Sequence, residues 1–184
     1  QRIKDKTIDF SVTLHIREII LKQALDLAPE DFLFLANKIL QYKQNDLVPL
    51  LVTLLENLQT TQAIDLLKRY SQQVGAPLIR DYCNLSLLRL NEEGDYEKYV
   101  INWVLKQNHI DLIRMRPMLP LHSRLNDNTY SLTTEETSRL LIEMFTTLSQ
   151  KHDERIIDIL IEAIKEGDAK NRYALAGILL RAIE

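Results

Sequence analysis

A chain of 184 residues and 21.5 kDa suits one domain and barely allows two. Its 46% apolar and 27% charged residues exclude the disordered and collagen-like classes. Its net charge of −3, from 26 acidic and 23 basic residues, lacks the basic surplus that nucleic-acid binders use to neutralise phosphates.

Four glycines and five prolines leave few turns, so long helices are expected rather than a sandwich or barrel of short strands. The first segment is ambiguous. Ile8, Phe10, Val12, Leu14 and Ile16 alternate with Asp9, Ser11, Thr13 and His15, the period of a half-buried strand. Val12, Ile16, Ile19, Ile20 and Leu27 also fit one helix face. With no second strand to pair, the reading is an extended lead-in over 8–16 and a helix near 13–27.

Helices follow near 30–43, 46–58, 61–74, 77–91, 95–107, 109–115, 134–150, 153–166 and 169–183. Pro29 and Pro77 open two of them, each preset for a first turn, and Gly75 precedes the second. Gly94-Asp95 and Gly167-Asp168 read as stop-and-restart signals, glycine ending one helix and aspartate capping the next. Thr133 and Glu136 form a capping box. Within 153–166, Ile156, Ile157, Leu160, Ile161 and Ile164 share one face and leave Asp158, Glu162 and Lys165 on the other. Links of two to four residues make neighbouring helices antiparallel, so the chain is a series of helical hairpins. Residues 116–132, with Pro117, Pro120 and Asn126-Asp127-Asn128, break the pattern as an irregular insertion.

The longest uncharged apolar run, Leu47–Leu55, is too short to span a bilayer. The chain opens at Gln1 and stops at Glu184 inside a helical pattern, which reads as a piece of a longer chain. A cytoplasmic setting is favoured over secretion, although a removed signal peptide would leave no trace here.

Two segments align with each other. One runs from Ala63-Ile64-Asp65-Leu66-Leu67 through Gly75-Ala76-Pro77-Leu78-Ile79-Arg80 to Cys83–Leu88. The other runs from Ile159–Ile164 through Gly167-Asp168-Ala169-Lys170-Asn171-Arg172 to Ala174–Leu180. Each is an apolar helix, a tight turn, and a second helix with an early Arg followed by small and aliphatic residues. This resembles the HEAT repeat, in particular the short form of phycobilisome-lyase-like proteins, over 61–91 and 153–183.

The resemblance implies an all-α fold: a right-handed stack of antiparallel hairpins, nine or ten helices forming one α-solenoid over 1–184. A non-repeating helical bundle is the alternative. In the family the Arg and a preceding Asp bond across neighbouring turns and fix the stacking. Carried over, Arg80 and Arg172 are structural, and Asp168 is the partner of Arg172. Ala174, Ala176 and Gly177 would let second helices approach closely. Two departures stand out: Asn171 replaces an aliphatic residue that Ile79 keeps, and the first segment has no Asp in its turn.

Catalytic spacing is not evident. His15, His109, His122 and His152 lie far apart and Cys83 is the single cysteine, so neither a metal set nor a disulfide is expected. Cys83 sits in an apolar run and reads as a buried, inert thiol. The glycines are isolated, so no phosphate loop forms, and no cofactor is implied. The pairs Glu92/Glu93, Glu135/Glu136 and Asp153/Glu154 stand at helix starts or turns, where the helix dipole accounts for them. Tyr96, Tyr99 and Trp103 share a helix face that reads as core more readily than as a stacking platform.

One stretch departs from the acidic background. Lys106, His109, Arg114, Arg116, His122 and Arg124 are interleaved with Met115, Pro117, Met118, Leu119, Pro120 and Leu121, with Asp111 the only acid. The plainer reading has the apolar residues plugging a gap while the arginines face water. The functional one is a docking loop for an acidic or apolar partner, with Arg114, Arg116, Met118 and Arg124 as contacts.

The expected function is a non-enzymatic scaffold that binds a protein or peptide along a solenoid face. Two rivals follow from the resemblance. One is a HEAT-like DNA-binding or base-excision protein, for which Trp103, Asp111 and Arg114 would be the working residues. The other is an accessory subunit for bilin attachment, which no tetrapyrrole pocket marks here.

Overall fold

A computed structural model describes residues 2–107, 134–151, 153–166 and 169–183. It is all-α: the described residues form nine helices and one 3₁₀ turn, with no strand among them. The helices are α1 (Arg2–Leu27), α2 (Pro29–Gln41), α3 (Val48–Leu58), α4 (Thr61–Ser71), α5 (Pro77–Arg89), α6 (Tyr96–Lys106), α7 (Thr134–Ser149), α8 (Glu154–Glu166) and α9 (Ala169–Ile183). The 3₁₀ turn, Asn45–Leu47, leads into α3. The expected helix over 109–115, the insertion over 116–132 and the Thr133 end of the capping box lie outside the described residues. By its contacts the chain divides into two compact units, Gln1–Leu90 and Asn91–Glu184.

The extended lead-in over 8–16 is not what forms. Helix α1 runs unbroken from Arg2, because a lone strand leaves its backbone N–H and C=O groups unpaired whereas a helix satisfies them internally. Its 26 residues make a rod of about 39 Å.

In the first unit, helix-spaced apolar residues meet in one core: Phe32, Ala36, Ile39 and Leu40 of α2, Leu51 and Leu55 of α3, and Ala63 and Leu67 of α4. Helices α4 and α5 pack most extensively, and α3 lies mainly on α5 and less on α4. Every residue of α5 from Asp81 to Leu88 is buried, as expected of a helix surrounded on all sides. The Tyr70 hydroxyl of α4 donates to the Asn37 side-chain oxygen of α2 at 2.9 Å, and burial pushes its pKa up.

The second unit repeats part of this arrangement. Helices α8 and α9 are its most extensively packed pair, and α7 lies on both, more on α9 than on α8. Its core takes Leu141, Met144, Phe145 and Leu148 from α7 and Ile156, Leu160 and Ala163 from α8. The buried stripe of α8 is rotated from the expected one. Ala163 is buried and Ile161 is exposed, because a small residue lets a neighbouring helix close over that side.

Helix ends show why so few glycines suffice. Pro29 and Pro77 occupy first turns as expected. Gly75 takes a left-handed φ of +78°, and at Gly94 an added Cβ would lie 2.6 Å from the Tyr96 ring. Elsewhere Lys43, Gln59 and Asn91 adopt the left-handed conformation, with φ of 53°, 49° and 54°. After α2, Gln44 N–H donates to Ile39 C=O and Lys43 N–H to Leu40 C=O, the paired bonds of a Schellman ending. Gln59 is exposed at the end of α3, so its side chain gives little in return for the strained backbone. Gln59→Gly is expected to stabilise the protein by about 0.5–1 kcal/mol, read as a higher urea midpoint at unchanged slope.

Candidate functional site

The residues singled out for partner contact, Arg114, Arg116, Met118 and Arg124, lie outside the described residues, as do His109, Asp111, His122 and Asp168. Arg172 is described, an exposed side chain on α9. Arg80 is placed on α5, where its Nε donates to Asp81 Oδ1 at 3.1 Å. Its carboxylate partner therefore follows it in sequence, and this carboxylate is buried. Tyr96, Tyr99 and Trp103 are half-buried on α6.

Beside that pair stands a polar clamp that spacing did not indicate. Asn84 Nδ2 donates to Ser71 C=O at 2.9 Å and to Arg80 C=O at 2.8 Å. The first bond reaches from the middle of α5 to the last residue of α4 and meets a carbonyl that the helix end leaves without a partner. Asp81, Asn84 and Ser71 are all buried, which makes this a hairpin lock rather than a site open to substrate. Cys83 lies in the same stretch, buried as expected, and burial pushes its thiol pKa far up. It is a poor nucleophile there. Among the described residues, no three His, Cys, Asp or Glu side chains come together in a way that would hold a metal ion.

Asp153 has the helix-start role assigned to the carboxylate pairs. Its C=O accepts from Ile157 N–H and its Oδ1 accepts from Arg155 N–H at 3.0 Å, while Arg155 Nη2 donates to Oδ2 at 2.7 Å. These bonds, the Arg155 side chain first, hold the carboxyl below its ordinary pKa. A depressed folded-state value contributes stability above the unfolded value of about 4, lost as pH falls through the folded one. Asp153→Ala is expected to cost about 1 kcal/mol at pH 7 and progressively less as the pH falls below the unfolded value of about 4, which denaturant titrations at pH 7 and across the acid range would check.

An apolar groove of about 320 Å³ lies between α1 and α2 in the first unit. Its floor is built by Leu21, Ile39 and Leu47, all buried. Ile20 and Tyr42 form walls that are 52% and 69% exposed. Arg17 and Lys38 stand on the rim, and no carboxylate lines the groove among the described residues. A single residue, Ala28, joins the two helices, and Arg17 and Lys38 lie at comparable distances from that corner. The Lys38 ammonium rests 5.4 Å from the centroid of the Phe34 ring, itself exposed.

Ile16, Ile19, Ile20 and Leu27, which fit one helix face in the sequence, are exposed; among the described side chains of α1 only Leu21 is buried. No described helix is long and apolar enough to cross a membrane. No protein-family model, curated protein or solved structure matches the chain.

Proposed function

We propose that the chain is a non-enzymatic interaction module, a short HEAT-like α-solenoid that binds a protein partner along one face. One observation carries the reading: the two segments that resemble each other in sequence, 61–91 and 153–183, supply the most extensively packed helix pair of each unit. In each, the preceding helix lies mainly on the second member of the pair. Recurrence of a three-helix arrangement in sequence order is what a stack of hairpins requires. Such a module presents a rigid surface, and its partner is chosen by exposed side chains rather than by a chemical step. Arg114, Arg116, Met118 and Arg124 are the proposed contacts from the basic stretch.

Affinity capture from native lysate with the tagged chain, with and without nuclease, tests this reading. A protein partner retained after nuclease, and lost when Arg114, Arg116 and Arg124 are changed to glutamate, is the expected result. A partner insensitive to those changes would remove the basic stretch from the interface. Partners that vanish with nuclease would replace the scaffold by a nucleic-acid binder.

A further inference from the structure

We infer that the α1/α2 groove is a docking site for an acidic amphipathic helix of a partner protein, an assignment that rests on the interaction-module reading. Three properties of the groove select that occupant. Its buried floor of Leu21, Ile39 and Leu47 excludes water beneath a seated side chain, while the exposed Ile20 and Tyr42 give that side chain apolar walls. Apolar surface so placed is stabilised by cover.

The dimensions suit a helix. From Leu35 to Tyr42 the α2 wall extends about 10 Å, close to two helical turns. That length accepts anchors at i, i+3 or i+4, and i+7. A volume of about 320 Å³ falls at the low end for small-molecule pockets, and the cleft is open along its walls.

Charge decides the remaining choice. The chain as a whole is acidic, at −3, yet the groove is rimmed by Arg17 and Lys38, with no lining carboxylate among the described residues. A guanidinium and an ammonium at opposite rims favour a ligand that flanks its apolar face with carboxylates, and they repel a basic one.

The test uses the full chain and a displayed library of short helix-forming peptides of unbiased charge, selected on the wild type. The expected winners carry aliphatic or aromatic residues at i, i+3 or i+4, and i+7, flanked by Asp or Glu. Their affinity is expected to fall about tenfold for Ile20→Asp and for Arg17→Glu. Lysine-flanked versions of the same peptides should then bind the Arg17→Glu/Lys38→Glu variant better than the wild type. Ile20 is half exposed and Arg17 lies on the rim, so both variants should keep the wild-type melting curve, and Arg17→Glu alone carries the test should Ile20→Asp fail to fold.

Failure to enrich any peptide, enrichment of basic peptides, or winners indifferent to Ile20→Asp and Arg17→Glu would each overturn the assignment. So would Ile20-dependent binding to phosphatidylcholine–phosphatidylserine vesicles in place of peptides, or Ile20-dependent self-association of the chain. A captured protein partner that persists with Ile20→Asp and Arg17→Glu would remove the groove but leave the interaction module standing. Groove-dependent peptides combined with nuclease-sensitive capture would do the reverse.

Discussion

Replacing Asn84 by aspartate is expected to cost about 3 kcal/mol or more at neutral pH, the largest loss of any single polar change in the first unit. Asn84 Nδ2 supplies N–H donors to two carbonyls, Ser71 at 2.9 Å and Arg80 at 2.8 Å. In Asn84→Asp an acceptor faces those acceptors, and a charge enters a buried position one turn from the buried Asp81. The fold then favours the protonated acid, so the folded pKa of the introduced carboxyl lies above the unfolded value of about 4. The penalty is full above the folded pKa, shrinks as pH falls through it, and reaches its minimum below about pH 4.

Asn84→Leu provides the uncharged comparison. It leaves the Ser71 carbonyl unmet in a buried setting and is expected to cost about 1–3 kcal/mol with no such pH dependence. Urea denaturation of both variants at pH 7 and near pH 4 separates the two effects. A loss for Asn84→Asp that is equal at both pH values, or smaller than that of Asn84→Leu, would show that Asn84 does not donate to these carbonyls.

Two phenylalanines on α2 give the second large expected effect. Phe32 is fully buried and Phe34 is 67% exposed. Phe32→Ala removes an aromatic ring from a packed core and leaves a cavity, for an expected loss of about 3–5 kcal/mol. Phe34→Ala gives up only its contact with the Lys38 ammonium and is expected to cost about 0.5 kcal/mol. The contrast also tests the groove, because Ile39 lies on the same α2 face as Phe32 and forms part of the floor. Equal losses at the two positions would mean that α2 is turned, and the floor would not exist as described.

Much of this fold was legible in the residues. Prolines at 29 and 77 and the helical periods from 30 to 107 place α2 through α6 within a few residues, because local backbone chemistry decides where those helices start. The pairings α4–α5 and α8–α9 were also visible, since a short link turns a helix back against the next one. Other features depend on what covers a face rather than on which residues compose it. Period alone put the stripe of α8 on Ile157 and Ile161, whereas close packing at Ala163 rotates it.

The same limit hid the candidate site. Ile16, Ile19 and Ile20 fit one helix face because they are apolar and helix-spaced, and nothing local says that such a face stays uncovered. The turn before Arg80 offers no Asp, and nothing in the spacing indicates that its side chain meets Asp81, its immediate neighbour. The left-handed endings at Lys43 and Gln59 were equally hidden, since neither residue type announces that conformation.

The burial of Cys83 gives the molecule an internal clock. A thiol with no exposed surface and a raised pKa reacts with an alkylating reagent only while the α4–α5 hairpin is open, so the modification rate counts openings. Because it is the single cysteine, that count carries no background from other thiols. When reclosing is fast relative to alkylation, the rate relative to that of a free thiol gives the equilibrium population of the open hairpin; when alkylation is faster, it gives the opening rate itself. Varying the reagent concentration therefore yields both the depth of the local free-energy well and the speed of escape from it, on the unmodified chain and without a spectroscopic label.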